Sequence, residues 1–264
     1  MEKSLLWKIE RDNLENPSYL FGTIHLIPKK EIVFPSYMIN AFNSCEELVL
    51  ELNLNEISFS EKKMLFQHMM LPSGLSYRDY LNDSSFQALK LYLVDTMKIK
   101  ERKVNKYFRI KPVYTGALIL SELVKNPKSY EEMLTKKAKR GGISISGLET
   151  FQEQLEIIDS YGLTDQFIEL EKETRFLQEY EKLLNSYLSE DIYSLYNMMK
   201  EDSGFSNFEN TYLIQRNRNW IATLEKTMVA KSVFFAVGCG HLAGENGLIQ
   251  LLRDRGYSVT PVNE

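Results

Sequence analysis

The sequence predicts an α/β protein of mixed α+β character, with a central mixed sheet formed by the N- and C-terminal halves of the chain. Short apolar strand patterns occur near both ends, the middle has helical periodicity, and residues 165–228 lack proline. Because no stretch rich in proline, glycine or serine separates these regions, we expect one domain over residues 1–264. A helical cap or insertion is expected at approximately residues 55–140.

The N-terminal elements are predicted by apolar patterns and by turn residues. Residues 5–9 and 18–21 are strand candidates, and the asparagine- and proline-containing segment between them predicts a hairpin. The proline at position 35 favours a helix through residue 42, because proline is tolerated in the first helical turn. Residues 47–53 carry leucine at alternate positions, which is typical of a strand.

The middle of the chain is predicted to be mainly helical, and the C-terminal end to return to α/β alternation. Helices are expected to begin at Ser60, at Asp83, after Pro112, and at capping-box patterns that start with Ser129 and Thr150. Residues 143–148 indicate a short strand, and residues 165–228 two or three long helices. A buried strand at 232–237, a helix at 245–255 and a last strand at 257–262 follow, so both termini are expected to close the sheet.

Composition excludes several classes of protein. The 264 residues include 32 Lys and Arg against 36 Asp and Glu, which argues against a broad basic surface for nucleic acid. No apolar run approaches the roughly 20 residues of a membrane span, and two cysteines do not imply a disulfide framework. Only three histidines occur, so their positions are informative.

Two of the three histidines have the same local context. An apolar strand pattern precedes Gly-x-x-His-Leu both at Gly22 to His25 and at Gly238 to His241, and the second motif also contains Gly240. Glycine permits a turn or a close backbone approach at a strand end, where α/β folds build their sites. Imidazole is a common ligand for divalent metals and a general base near neutral pH. The third histidine, at position 68, falls in a methionine-rich helix pattern and is interpreted as packing.

A hydrolytic metal usually takes three protein ligands, so a carboxylate is expected beside the two imidazoles. Glu51 and Glu149 both follow predicted strands. Each also has a simpler interpretation, Glu51 as a solvated edge residue and Glu149 as a charge that favours a helix N-terminus. Arg216 shares a helical stripe with Trp220, and this position fits either a structural ion pair or a clamp on a substrate carbonyl.

Short stretches in a fixed order along nearly the whole chain share the pattern of a known family. They are Leu6-Trp7-Lys8-Ile9, Tyr19-Leu20-Phe21-Gly22-Thr23-Ile24-His25, Glu47-Leu48-Val49-Leu50-Glu51-Leu52, Lys111-Pro112, Gly147-Leu148-Glu149-Thr150, Arg216-Asn217 with Trp220, and Val237-Gly238-Cys239-Gly240-His241-Leu242-Ala243-Gly244 with Gly256-Tyr257. In these stretches the chain resembles the TraB/GumN family, which is related to the TIKI proteases and, more distantly, to erythromycin esterases and ChaN-type proteins.

The resemblance implies a metal-dependent hydrolase, a peptidase of TIKI type, whose paired motifs map onto His25 and His241. The family's glutamates and arginine map onto Glu51, Glu149 and Arg216, which are the expected catalytic residues. His25, His241 and Glu51 are expected to bind a divalent ion, either manganese, cobalt or zinc. Which glutamate is a ligand and which accepts the proton of the attacking water stays open.

Two further functions are compatible with the same residues. Likeness to erythromycin esterases implies that a histidine could activate water without a metal. Other relatives regulate plasmid transfer or pheromone signalling, so a protein that binds a peptide without cleaving it is a third hypothesis. A nucleophilic role for Cys239 is disfavoured, because a histidine two residues along the same loop is poorly placed to activate it.

The expected partner is a peptide or small-molecule substrate, with no nucleic acid and no transmembrane segment. The charged start of the chain favours a cytoplasmic protein. The family resemblance instead implies a leader ahead of the Leu-Trp-Lys-Ile stretch, and hence a secreted, periplasmic or lipid-anchored protein.

Overall fold

A computed structural model describes residues 3–172, 176–201 and 209–263. The strands are β1 (Leu6–Glu10), β2 (Ser18–Thr23), β3 (Ile27–Pro28), β4 (Glu47–Leu52), β5 (Pro127–Lys128), β6 (Ser144–Glu149), β7 (Val233–Gly238) and β8 (Ser258–Pro261). The helices are α1 (Ser36–Asn43), α2 (Phe59–Met69), α3 (Asp83–Leu91), α4 (Glu101–Tyr107), α5 (Pro112–Leu123), α6 (Tyr130–Gly141), α7 (Phe151–Asp159), α8 (Leu163–Lys172), α9 (Phe176–Leu188), α10 (Ile192–Glu201), α11 (Gln215–Ala230) and α12 (Leu248–Asp254). The predicted mixed α/β class is confirmed.

Internal contacts divide the chain into two compact units, each discontinuous in sequence. Unit 1 comprises Met1–Leu54, Asn126–Thr150 and Glu181–Glu264, and unit 2 comprises Asn55–Lys125 and Phe151–Tyr180. Unit 2 begins where the helical insertion was expected, but helix α6 belongs to unit 1. The assignment of the whole chain to one domain stays a prediction.

The six-stranded sheet of unit 1 has the order β6-β4-β7-β2-β1-β8. Strands β6, β4, β7 and β2 are parallel to one another, whereas β1 is antiparallel to both β2 and β8. Leu6 pairs with Phe21 in the predicted hairpin, and Trp7 pairs with Pro261, so both ends of the chain contribute to the sheet as expected. Among the described strands of this sheet, β1 alone runs antiparallel to the others.

The core of unit 1 lies on both faces of this sheet. All residues from Val233 to Val237 of β7 are buried, as expected for a parallel strand covered on each face. Trp7 and Trp220 are among the largest fully buried side chains, and the edge strand β6 is only partly buried. This buried central strand provides a rigid base for the loop that follows it.

Unit 2 is helical in its described part and has a core of its own. Tyr77 is fully buried, and its hydroxyl donates to Thr115 Oγ1 at 2.9 Å. Tyr80 stacks on Phe167 with ring centroids 4.3 Å apart.

Within the described ranges, none of the helices is both long and apolar enough to cross a membrane.

The expectation of two or three long helices over residues 165–228 stays a prediction, because residues 173–175 and 202–208 lie outside the described part of the chain. The described residues there include α8, α9, α10 and α11, and every residue of the break between α9 and α10 is described. The break between α9 and α10 contains no proline. Glu190 adopts a positive φ of 56°, and the Asp191 carboxylate accepts the Ser194 N–H at 3.0 Å. An aspartate that caps the next helix therefore ends the continuous helix.

Candidate active site at the carboxyl edge of the sheet

The predicted site residues follow the carboxyl ends of four neighbouring parallel strands. Glu149 ends β6, Glu51 is the penultimate residue of β4, His241 follows β7, and His25 follows β2. Since these strands are adjacent in the order β6-β4-β7-β2, their ends meet at one edge of the sheet. All of these residues belong to unit 1.

The two Gly-x-x-His turns pack against each other. Thr23 pairs with Gly238 in the parallel register of β2 and β7, so the two motifs leave the sheet side by side. A methyl group on Gly22 would lie 3.1 Å from Cys239 Cβ and 3.0 Å from a methyl carbon of Leu242. The first motif therefore favours glycine because the second motif occupies the space that a side chain would need.

His241 is buried and held through both ring nitrogens. Its side chain is 5% exposed, and burial lowers its pKa to about 3, so the ring is neutral near pH 7. Nδ1 lies 2.7 Å from Asn217 Oδ1, and Nε2 lies 3.2 Å from Arg216 Nη1. Nε2 is also 3.8 Å from Glu51 Oε1.

His25 is much more accessible, with 72% of its side chain exposed. Its Nδ1 lies 2.9 Å from Glu131 Oε1, and the hydrogen bond to that carboxylate raises the His25 pKa to about 9. Glu131 also accepts hydrogen bonds from the hydroxyls of Thr23 at 2.5 Å and Ser129 at 2.6 Å. Burial alone would raise the Glu131 pKa, but the contact with His25 and these hydroxyls lower it to about 2.

The space around Gly238 is where the predicted ligands converge. A methyl group placed on Gly238 would lie 3.2 Å from Glu51 Oε1, 3.8 Å from His241 Cδ2 and 3.9 Å from His25 Nε2. The Gly238 N–H donates to Glu51 Oε1 at 2.7 Å. Burial would raise the Glu51 pKa, but His241, Arg216 and this N–H outweigh it and lower the pKa to about 2.

Arg216 connects the two predicted glutamates. Its Nε and Nη2 donate to the two oxygens of Glu149, each at 2.8 Å, and Nη2 also donates to Glu51 Oε2 at 2.6 Å. The guanidinium lies over the Trp220 ring at 4.7 Å, and the Trp220 indole N–H donates to Glu149 Oε1 at 2.9 Å. Burial lowers the Arg216 pKa, but the two carboxylates outweigh it, so the net shift is upward.

The donor types at this edge fit a divalent metal ion, although they are not arranged as a metal site. Two imidazoles and a carboxylate are ligands that zinc, manganese and cobalt accept. Among the residues that the structure describes, no group of three His, Cys, Asp or Glu side chains is placed to hold an ion. In this geometry Arg216 occupies His241 Nε2 and Glu51 Oε2.

Three residues that contact the predicted site were not assigned to it from the sequence. Glu131 was interpreted only as part of a helix-capping pattern, and Ser129 does cap α6 by accepting the Glu132 N–H at 3.2 Å. Asn217 and Trp220 stand in the Arg216 motif, but nothing in the motif indicates what they contact. The spacing of Arg216 and Trp220 on one helical stripe was the only available signal.

The remaining histidine and the motif cysteine have other surroundings. His68 does more than pack, because its Nδ1 lies 2.9 Å from the Tyr114 hydroxyl and its Nε2 2.8 Å from Asp159 Oδ1, all within unit 2. Cys239 is buried, and burial raises its pKa to about 12. A neutral thiol at physiological pH agrees with the expectation that Cys239 is not a nucleophile.

Comparison with known proteins places these motifs in a family context. The chain is 23% identical over 316 aligned residues to the "Metalloprotease TIKI homolog" of Amphimedon queenslandica. The alignment covers 98% of this chain and 61% of that protein. It is 23% identical to the "Metalloprotease TIKI homolog" of Nematostella vectensis, and that alignment covers 97% of this chain and 66% of the relative. It is 24% identical to "Metalloprotease TIKI1" of Danio rerio, and that alignment covers 99% of this chain and 64% of the relative. The chain therefore spans less than two thirds of the length of these relatives. No solved structure matches it significantly.

The family itself is shown by a match that includes every predicted site residue. The sequence model of the TraB/PrgY/gumN family matches residues 5–261. Because this match covers nearly the whole sequence, the expected resemblance is confirmed, and the chain belongs to the TraB/PrgY/gumN family.

Proposed function

We propose that this chain is a metal-dependent hydrolase that cleaves peptide bonds at the edge of the sheet where His25, His241 and Glu51 converge. One observation carries the proposal. Both imidazoles use Nδ1 for a hydrogen bond to a neighbouring side chain. His241 Nε2 lies 3.8 Å from Glu51 Oε1, and His25 Nε2 would lie 3.9 Å from a methyl group placed on Gly238. Histidines that bind metals are usually held in this way, with the second ring nitrogen bonded to a carboxylate or another acceptor. The metalloprotease names of the relatives support the same class.

His25, His241 and Glu51 would hold the ion, which we expect to be manganese, cobalt or zinc. When bound, such an ion supplies a Lewis acid for the scissile carbonyl and lowers the pKa of water. The low pKa of Glu51 favours a ligand over a general base, because a carboxylate with a pKa of about 2 accepts a proton weakly.

Arg216 and Glu149 have different roles in this proposal. Glu149 accepts hydrogen bonds from Arg216 and Trp220, so we assign it to positioning the guanidinium instead of to accepting the water proton. Arg216, held over the site by two carboxylates, would stabilise negative charge on a substrate oxygen. The exposed His25 edge provides access for an extended peptide, whereas His241 is buried.

The direct test uses the purified full chain after metal removal, with manganese, cobalt or zinc added back separately. Cleavage of a mixed peptide library is followed by mass spectrometry, and bound metal is measured in parallel. We expect His25→Ala and His241→Ala to lose metal and cleavage, and His68→Ala, a histidine outside the site, to keep both. Retention of metal and activity in the first two variants would contradict the proposal.

One observation favours a second candidate, a hydrolase that needs no metal. Arg216 Nη1 already donates to His241 Nε2, so the guanidinium supplies positive charge where an ion would otherwise bind. In this candidate a histidine activates water without a metal, and the glutamates orient that water. Cleavage that persists after exhaustive chelation, and is lost in Arg216→Lys, would select this candidate. Tight peptide binding without turnover under every condition would instead indicate a binding protein.

A further inference from the structure

We propose that Asn217 is a positioning residue that fixes His241 as the tautomer protonated on Nδ1, so that the Nε2 lone pair faces Glu51 and Arg216. The tautomer itself follows from hydrogen-bond geometry. Its consequence for activity rests on the proposed function.

The orientation of the Asn217 amide is determined by its neighbours. One atom of the amide lies 3.3 Å from the His241 carbonyl oxygen and 2.8 Å from the Asn246 carbonyl oxygen. Carbonyl oxygens only accept, so this atom must be the NH2 group, which has two hydrogens to donate. The atom on the other side of the amide, 2.7 Å from His241 Nδ1, is therefore the oxygen. An oxygen cannot donate, and Nδ1 must carry the proton.

The opposite side of the ring leads to the same assignment independently. Nε2 lies 3.2 Å from Arg216 Nη1, and a guanidinium nitrogen is always a donor. Nε2 therefore accepts, and it has a lone pair instead of a proton. The two contacts leave one compatible state, a neutral His241 with its proton on Nδ1.

Helix α11 supplies the groups that contact this ring on three sides. Arg216 forms a hydrogen bond with Nε2, and the next residue, Asn217, forms one with Nδ1. Trp220 lies one turn further along the helix and packs against the ring with centroids 4.5 Å apart. Asn217 is 2% exposed, so water does not compete for its oxygen. The amide also anchors to the backbone of the loop that carries His241, through the His241 and Asn246 carbonyls. The helix thus sets both the position of the loop and the proton on the ring.

Two variants of equal bulk separate positioning from a purely structural role. Asn217→Asp keeps an oxygen that accepts from Nδ1 but loses the two donated hydrogen bonds to the loop carbonyls. Asn217→Leu loses those same two bonds and the acceptor as well. The two variants share the loss of the hydrogen bonds to the loop carbonyls, so any weakening of the loop from that loss affects both. They differ in the acceptor at Nδ1, which only aspartate keeps, and in the negative charge that aspartate adds at this buried position.

The tautomer is read by long-range 1H–15N NMR of the metal-free, 15N-histidine-labelled full chain, which contains only three histidines. His241 is identified by its absence in His241→Ala. We expect the wild type and Asn217→Asp to show the proton on Nδ1, and Asn217→Leu to show a substantial Nε2-protonated population. A wild-type His241 protonated on Nε2, or an Asn217→Leu spectrum unchanged from wild type, would overturn the assignment.

The consequence for metal binding is measured separately by titration with manganese, cobalt and zinc alone. We expect Asn217→Leu to weaken binding by about 10- to 100-fold, with much of the loss rescued in Asn217→Asp. If the wild type binds no metal and cleaves no peptide, the proposed function fails while the tautomer assignment still stands on the NMR result. Equal loss in both variants, despite an intact fold, would assign Asn217 a structural role and contradict positioning.

Discussion

The Glu131 carboxylate lies 2.9 Å from His25 Nδ1, although Glu131 belongs to the first turn of α6 and His25 to the turn after β2. Hydroxyls of Thr23 and Ser129 hold the same carboxylate from two further directions. The contact leaves Nε2 of an exposed imidazole as the nitrogen available to a ligand. A partly buried helix residue therefore determines which ring nitrogen of His25 is available to the site.

Replacement of Glu131 tests this control. In Glu131→Gln the neutral amide no longer fixes the imidazole as strongly, and we expect metal affinity and kcat/KM to fall by about 10- to 100-fold. Glu132→Gln is the matched control, because Glu132 is the next residue in the same helical turn but faces Lys136. Isothermal titration and peptide cleavage measure both effects. Equal behaviour of the two variants would contradict a specific role for Glu131.

Removal of the Arg216 charge should destabilise the fold as well as the site. Arg216→Met leaves Glu51 and Glu149, which are 12% and 7% exposed, without their shared cation. Breaking a buried ion pair from one side costs about 3–5 kcal/mol, and urea denaturation measures the change in unfolding free energy. Arg218→Met, an exposed arginine on the same helix, should cost less than about 0.5 kcal/mol. A loss of similar size in both variants would show that the ion pair is not the cause.

The glycines of the second motif should differ in their tolerance of a methyl group. In Gly238→Ala the new carbon would lie 3.2 Å from Glu51 Oε1, whose position is fixed by the Gly238 N–H. We expect kcat/KM to fall by about 10- to 100-fold, because small displacements of site groups are costly. In Gly240→Ala the clash is with the end of the flexible Met199 side chain, 2.9 Å away, which can move. Activity should therefore survive Gly240→Ala, and an inverse order of the two variants would refute this explanation.

The ion pair at Glu122 predicts a pH-dependent contribution to stability in unit 2. Lys103 lies 2.7 Å from the Glu122 carboxylate and lowers its pKa, so the folded state binds this proton less readily than the unfolded chain. The stabilisation is present above the usual glutamate pKa of about 4.3. It is lost as the pH falls through the lower pKa that Glu122 has in the folded state. At pH 7, Glu122→Gln should lower the free energy of unfolding by about 0.5 kcal/mol, which is measured as a lower Tm. Near pH 2 the variant and the wild type should have the same Tm. A difference that is unchanged at acid pH would exclude this linkage.

The proximity of the strand-end residues could be predicted because neighbouring parallel strands end at the same edge of a sheet. Two matched glycine-histidine motifs indicated His25 and His241, and the register of β2 and β7 places their turns side by side. Glu51 was predicted from its place in an alternating strand pattern, and it contacts the second motif through the Gly238 N–H. These positions depend on short-range periodicity, which a sequence displays directly.

The groups that orient the histidines could not be predicted in the same way. Glu131 and Asn217 come from helices, and their contacts depend on how α6 and α11 pack on the sheet. Glu131 also has an ordinary local explanation, since acidic residues favour the first turn of any helix. Hydrophobic periodicity does not show which side chains meet when helices pack on a sheet. It also does not show the helix break at Glu190, where the chain takes a positive φ without proline or glycine.

The placement of β7 between β4 and β2 has a consequence for how the chain folds during synthesis. Both neighbouring strands are complete at Leu52, whereas β7 begins only at Val233. A nascent chain therefore carries two unpaired strand edges until β7 has been synthesised, and such edges are prone to mispairing. The centre of the sheet closes only once residues 233–238 have left the ribosome, so the turn that carries His241 cannot join the ends of β2 and β4 before then.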